Sequence, residues 1–177
     1  QGPEAVTRAV PEAGLVVMGR DYAALSVSPR GGGVRLALRV CPKADAQGTE
    51  TETAARAVGV DGRAWCWGPN DYGQLGTGDV SQGNAPRRTA EGYAFSKISV
   101  STGGAYACGI TTAGRAYCWG NQEGGRLGDG INAPSGQHVR APVPVSGDRM
   151  YSDVAAGGDH ACAIATGGAG YCWGHNE

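Results

Sequence analysis

The chain is poor in net charge, in long apolar runs and in metal-ligand spacings, and each shortage removes a class of function. A formal charge of -1 with no Lys/Arg cluster denser than Arg87–Arg88 leaves no electrostatic footprint for nucleic acid or an anionic membrane. No apolar stretch approaches the roughly 20 residues needed to span a bilayer as a helix. The six cysteines and three histidines form neither a CxxC nor an HxxxH pair, so a zinc site is not expected. The loops around Asp71, Asp79 and Asp129 lack the alternating Asp/Asn ligands of a calcium loop and read as turns. "RGGG" at residues 30–33 lacks either phosphate-loop spacing and reads as a hairpin connection. No starting Met and no signal-peptide pattern are present, so a fragment, processed piece or engineered product is expected.

What the chain has in abundance is glycine, 32 residues of 177, and repetition. "AWCWGPNDYGQLGTGD" at residues 64–79 returns as "AYCWGNQEGGRLGDG" at 116–130 and as "GYCWGHNE" at 170–177. Trp67, Trp119 and Trp173 head the copies, each after a cysteine and before Gly68, Gly120 or Gly174. "VSTGGAYACGITTAG" at 100–114 likewise returns as "VAAGGDHACAIATGG" at 154–168. A period near fifty residues marks stacked supersecondary units, and the tryptophans are expected to fill each unit's interior rather than to stack on a ligand. Trp65, with Tyr117 and Tyr171 at its equivalents, fits a cross-strand aromatic or a ligand contact equally well.

The units read as β-hairpins around the turns at residues 60–62, 111–114 and 166–168, where Asp-Gly and Gly-Gly suit short primed turns. Further strands are expected at 95–100 and 151–156, with loops at 81–88 and 131–144, and no helix after residue 60. A turn centred on Ala113 makes opposed residues sum to 226, which puts Cys108 opposite Cys118. A turn centred on Gly167 makes the sum 334 and puts Cys162 opposite Cys172. Opposed Cβ atoms lie about 4.5–5.5 Å apart, so both pairs are disulfide candidates; the alternative is two buried thiols per hairpin. Disulfides would imply an oxidising compartment: extracellular, cell-surface or periplasmic. The first hairpin breaks the rule, since Arg56 faces Cys66; Cys66 and Cys41 are expected to stay reduced.

The hairpin cysteines, the closing "WG", the "GQLG"/"GRLG" turn and the "VPV" link together resemble the regulator of chromosome condensation repeat family, in its bacterial extracellular form. The resemblance covers about residues 58–177, in a unit bounded at 57–177, and implies a partial β-propeller of about two and a half four-stranded blades, hence an all-β fold. It implies a non-catalytic protein-binding scaffold with no cofactor; guanine-nucleotide exchange is the less favoured family activity. Residues 1–52, in a first unit bounded at 1–56, instead resemble a few strands of the C-terminal β-sandwich module of glycoside hydrolase family 43, through "AGLVVMGRDYAALSV" and "VRLALRVC". That resemblance implies a carbohydrate-binding accessory role as the alternative, with glycan as partner. The two patterns meet where the first hairpin loses its cysteine, which fits a chimera or a diverged leading blade. Open blade edges imply self-association. No catalytic residue is expected: His160 stands at a strand start with Asp159 on the opposite face, and His138 and His175 lie in loop-like sequence without partners.

Overall fold

The computed structural model describes residues 61–101, 103 and 105–176, with the strand segments Lys43–Ala44, Glu50–Thr51 and Ala55–Val58. Most of the sandwich-like stretch, with Cys41 and the glycine run at 30–33, lies outside the described residues. The described residues form strands and turns with no helix. The short strands β1 (Lys43–Ala44) and β2 (Glu50–Thr51) pair with each other.

Three antiparallel sheets follow in chain order. The first is β3 (Ala55–Val58), β4 (Ala64–Gly68) and β5 (Gly83–Arg88). The second is complete, with β6 (Phe95–Val100), β7 (Tyr106–Thr111), β8 (Ala116–Asn121) and β9 (His138–Pro144). The third is β10 (Tyr151–Ala156), β11 (His160–Ala165) and β12 (Gly170–Gly174). Neighbours in sequence are neighbours in each sheet, the meander of a propeller blade.

The register matches the arithmetic: Cys108 opposes Cys118, Cys162 opposes Cys172 and Arg56 opposes Cys66. The turns differ from the primed expectation. Thr111 N donates to Arg115 O while Gly114 N donates to Thr111 O, and Gly114 alone turns left-handed at φ 80°. Ala165, Ala169 and Gly168 repeat that pattern. No described non-glycine residue has positive φ, whereas a two-residue type I′ turn needs two such positions. These are three-residue loops closed by a glycine, which is why the opposed numbers sum to an even value.

The loops expected at 81–88 and 131–144 contain strands β5 and β9. Proline suggested loops there, yet both strands are outermost and pair on one side only. A proline at an edge removes no ladder hydrogen bond and blocks further pairing. His138 therefore opens a strand instead of sitting in a loop.

Apolar side chains fill the seams between sheets. One cluster joins Tyr106, Cys108, Ile110, Cys118 and Leu127 of the second unit to Tyr151, Val154, Ala161 and Ala163 of the third. Another joins Ala64 of the first unit to Phe95, Ala107 and Trp119 of the second. Alanines on one face let large side chains of the other approach closely. Burying each large side chain contributes about 1.5–3 kcal/mol.

Candidate functional site

Each seam is keyed by a tryptophan set into the previous unit's glycine turn. Trp119 is fully buried, and its indole N–H donates to Gln74 O at 3.0 Å. A Cβ on Gly76 would stand 2.7 Å from Trp119 Nε1, so the "GQLG" turn needs glycine to admit the ring. At the next seam a Cβ on Gly128 would stand 2.7 Å from Trp173 Cδ1. Trp173 is only half-buried, and its Nε1 has no hydrogen-bond partner among the described residues. Trp67 is half-buried. The glycine after each tryptophan lies where the backbone crosses the neighbouring strand: a Cβ on Gly120 would be 2.5 Å from Ala105 O, and on Gly174 2.5 Å from Asp159 O. Gly68 shares their positive φ, at 111°.

The cystines Cys108–Cys118 and Cys162–Cys172 bridge adjacent strands with Cα atoms 4.0 Å apart. Hydrogen bonds Thr111 N to Arg115 O and Asn121 N to Ala105 O fix the ladder's alternation. By that alternation 108/118 is a non-hydrogen-bonded pair, the closer kind. In the first unit Cys66 is buried with its sulfur 3.0 Å from Thr89 Oγ1.

An aromatic row borders each seam. Tyr93, Phe95, Tyr117 and Trp119 contact one another at centroid distances of 5.0–5.9 Å. In the third unit Tyr151 contacts Tyr171 and Trp173, and Arg149 replaces the fourth ring, 4.4 Å from the centre of Tyr171. A side-chain hydrogen bond to Tyr171 raises the Arg149 pKa. Trp65 is half-buried at the Tyr117 position.

Polar contacts at the second seam were not legible in sequence. Arg126, nearly buried, donates Nε to Glu123 O at 2.6 Å and pairs through Nη1 with Asp159 at 3.0 Å. The Tyr106 hydroxyl donates to His160 O at 2.6 Å, and burial pushes the Tyr106 pKa up. Lys97 pairs with Asp153 at 3.1 Å. His160 and His175 are exposed, and His138 lies near Gly136 O. These positions bring no histidine together with an acid and a nucleophile.

The long connections β4–β5 (residues 69–82) and β8–β9 (residues 122–137) leave equivalent strand ends and so share one rim. Buried Asn70 pins the first: its amide donates to Asp79 O and Ser81 O, and its carbonyl accepts from Leu75 N. Arg87 grips Asp79 with two nitrogens at 2.9 and 2.6 Å, and that hydrogen bonding holds the carboxyl well below the usual carboxylate range. In the second, Asp129 accepts from Gln122 and from Ile131 N. Tyr72, Val80 and Ile131 project from these braced loops with 41%, 39% and 54% of their surface exposed.

Stacked meanders of three and four strands, keyed by Trp-Gly hairpins, define a β-propeller protein of blade repeats. The model of the regulator of chromosome condensation (RCC1) repeat matches residues 61–110 and 113–164, with a second RCC1 repeat model at 98–126. The chain belongs to the RCC1 repeat family. Among similar proteins, the E3 ubiquitin-protein ligase HERC2 of Mus musculus is 32% identical over 123 residues, 68% of this chain and 2% of HERC2. The mitochondrial RCC1 domain-containing protein RUG3 of Arabidopsis thaliana is 30% identical over 118 residues, 67% of this chain and 26% of RUG3. The chain thus spans a small part of the relatives it matches. Human WBSCR16 superposes with a TM-score of 0.64 at 20% identity, covering 90% of this chain and 38% of that one. Prp20p of Saccharomyces cerevisiae, whose binding to Gsp1p and histones is described, superposes with a TM-score of 0.59 at 25% identity, covering 69% and 31%.

Proposed function

We propose that this chain is a non-catalytic protein-binding module whose contact surface is the rim formed by residues 69–82 and 122–137. The observation that carries the reading is the exposure of Tyr72, Val80 and Ile131 on loops held rigid by Asn70, Arg87–Asp79 and Gln122–Asp129. Large apolar side chains on a braced scaffold lose little entropy on binding, which is what a protein partner exploits. Prp20p, with the same fold and with Gsp1p and histones as protein ligands, supports the class of partner without naming this chain's own. The two cystines support maturation in an oxidising compartment, outside the cell, at its surface or in a periplasm.

Proximity labelling of native chain against a Tyr72→Ala/Ile131→Ser variant tests the rim. Partners lost from the variant but kept by a Met150→Ser control, at the opposite end of the sheets, support it; an unchanged set of partners removes it. Saturable xylan or arabinan binding that survives the rim substitutions would move the function to residues 12–52. Accelerated nucleotide release from a small GTPase would make the module an exchange factor. Four or more reactive thiols in the unreduced protein would remove the compartment reading.

A further inference from the structure

We propose that the rim's partner presents an acidic peptide segment, with Arg140 receiving its aspartate or glutamate and Tyr72 and Val80 taking the apolar residue beside it. The inference rests on the rim reading and adds the chemistry of the partner. Arg140 lies in β9, the outer strand of the second blade, and is exposed. The first and third blades both pack against that sheet, so Arg140 is exposed with a neighbour on either side. Every other described lysine or arginine meets a carboxylate, except Arg149, which lies over the Tyr171 ring. Among the described residues, Arg140 is the one cation with neither an acid nor a ring against its guanidinium.

The first rim loop holds this arginine in place. Gly78 N donates to Arg140 O at 2.9 Å. A Cβ on Gly73 would stand 2.8 Å from Arg140 Cα and 3.1 Å from its Cγ, so the stem runs against the loop. Each of these glycines stands beside an exposed apolar side chain: Tyr72 precedes Gly73, and Val80 lies two residues after Gly78. The loop's own acids are engaged elsewhere, Asp71 by Gln82 at 3.0 Å and Asp79 by Arg87. On the second loop Glu123 and Asp129 turn to Arg126 and Gln122. A guanidinium with a fixed stem and no acid of its own offers a carboxylate two parallel N–H donors. A basic segment would meet Arg140 as a like charge, and a wholly apolar one would bury it unpaired. Tyrosine and arginine are also the side chains enriched where binding energy concentrates. The occupant is therefore a segment in which an acid neighbours an apolar or aromatic residue.

Selection of random phage-displayed peptides on the unreduced native chain tests this. The enriched peptides should carry Asp or Glu next to an apolar or aromatic residue. A synthetic peptide of that consensus should bind at least roughly tenfold more weakly to Arg140→Gln and to Tyr72→Ala, the loss expected when a dominant contact is truncated. Selection on Arg140→Glu should enrich Lys or Arg in place of the acid. No enriched peptide, or enrichment without an acidic position, overturns the proposal. A consensus peptide that Tyr72→Ala releases but Arg140→Gln retains overturns it and leaves the rim reading standing. A peptide indifferent to Tyr72→Ala overturns it together with the rim reading. If Arg140→Gln loses its cooperative thermal transition, modification of the native chain by a glyoxal reagent decides. Protection of Arg140 by the consensus peptide supports the proposal, and unchanged reactivity of Arg140 overturns it.

Discussion

In the second blade both cysteines of the cystine are fully buried, whereas in the third blade one is half-buried and the other exposed. The hairpins that carry them share register, turn and Trp-Gly closure. The difference therefore comes from what lies across the seam, since a propeller blade completes only half of its own core and relies on its neighbour for the rest. Trp119 and Trp173 teach the same lesson: identical positions, one sealed and hydrogen-bonded to Gln74, the other half-buried with its N–H unmet among the described residues.

The largest effect expected from breaking this comparison is at the tryptophans. Trp119→Ala should cost about 3–5 kcal/mol, the range for an aromatic removed from a sealed core. Trp173→Ala should cost clearly less, because part of that ring already faces water. Urea midpoints with unchanged slopes would measure both; equal losses would show that the third blade is as closed as the second.

The cystines come next. Each closes a ten-residue separation, so replacing either pair with alanine should cost roughly 2–3 kcal/mol in the chain-entropy model. Accessibility separates them more sharply than energy does. A dithiol reductant applied to the folded protein should open Cys162–Cys172 first, with Cys108–Cys118 opening only as the chain unfolds. Alkylation followed by peptide mass spectrometry would report the order, and simultaneous opening would deny that the second seam shields its cystine.

The sheet structure was legible in the sequence wherever chemistry was local. Opposed cysteines followed from hairpin arithmetic, and strands β6 and β10 were readable at 95–100 and 151–156. Strands β5 and β9 were not, because proline reads as a loop signal unless an edge position is known. The Arg126–Asp159 contact was hidden for a different reason: its two residues lie in different blades, and only stacking brings them together. The exposed rim residues carry no spacing signal at all; the packing of everything else leaves them outside.

Conservative replacement of the two indoles sharpens the comparison at smaller cost. Trp119→Phe keeps an aromatic ring but leaves Gln74 O without its indole donor, which should cost about 1–3 kcal/mol. Trp173→Phe removes a buried donor that has no acceptor among the described residues, so stability should change little or rise. Thermal unfolding of the two variants side by side would decide, and equal destabilisation would indicate an acceptor for the Trp173 N–H.

The smallest effect expected lies in the charges that tie the second seam. Lys97 and Asp153 are both substantially exposed, so a double-mutant cycle should return under about 1 kcal/mol. Its sign with pH is fixed all the same. The Lys97 hydrogen bond lowers the Asp153 pKa, so the folded state holds the carboxylate more strongly than the unfolded chain does. That contribution is whole above the unfolded carboxylate value of about 3.9 and fades as pH falls through the lower folded value. Asp79 titrates in the same direction but braces a loop inside the first blade, so its loss loosens the rim and leaves the seams alone. The first seam shows neutral ties, Phe95 N to Gly62 O and Trp119 Nε1 to Gln74 O. Acid should therefore raise amide exchange in β10 and β11 before it does so in β7 and β8. The reverse order would mean that apolar packing, not the charge pair, sets how the third blade is held.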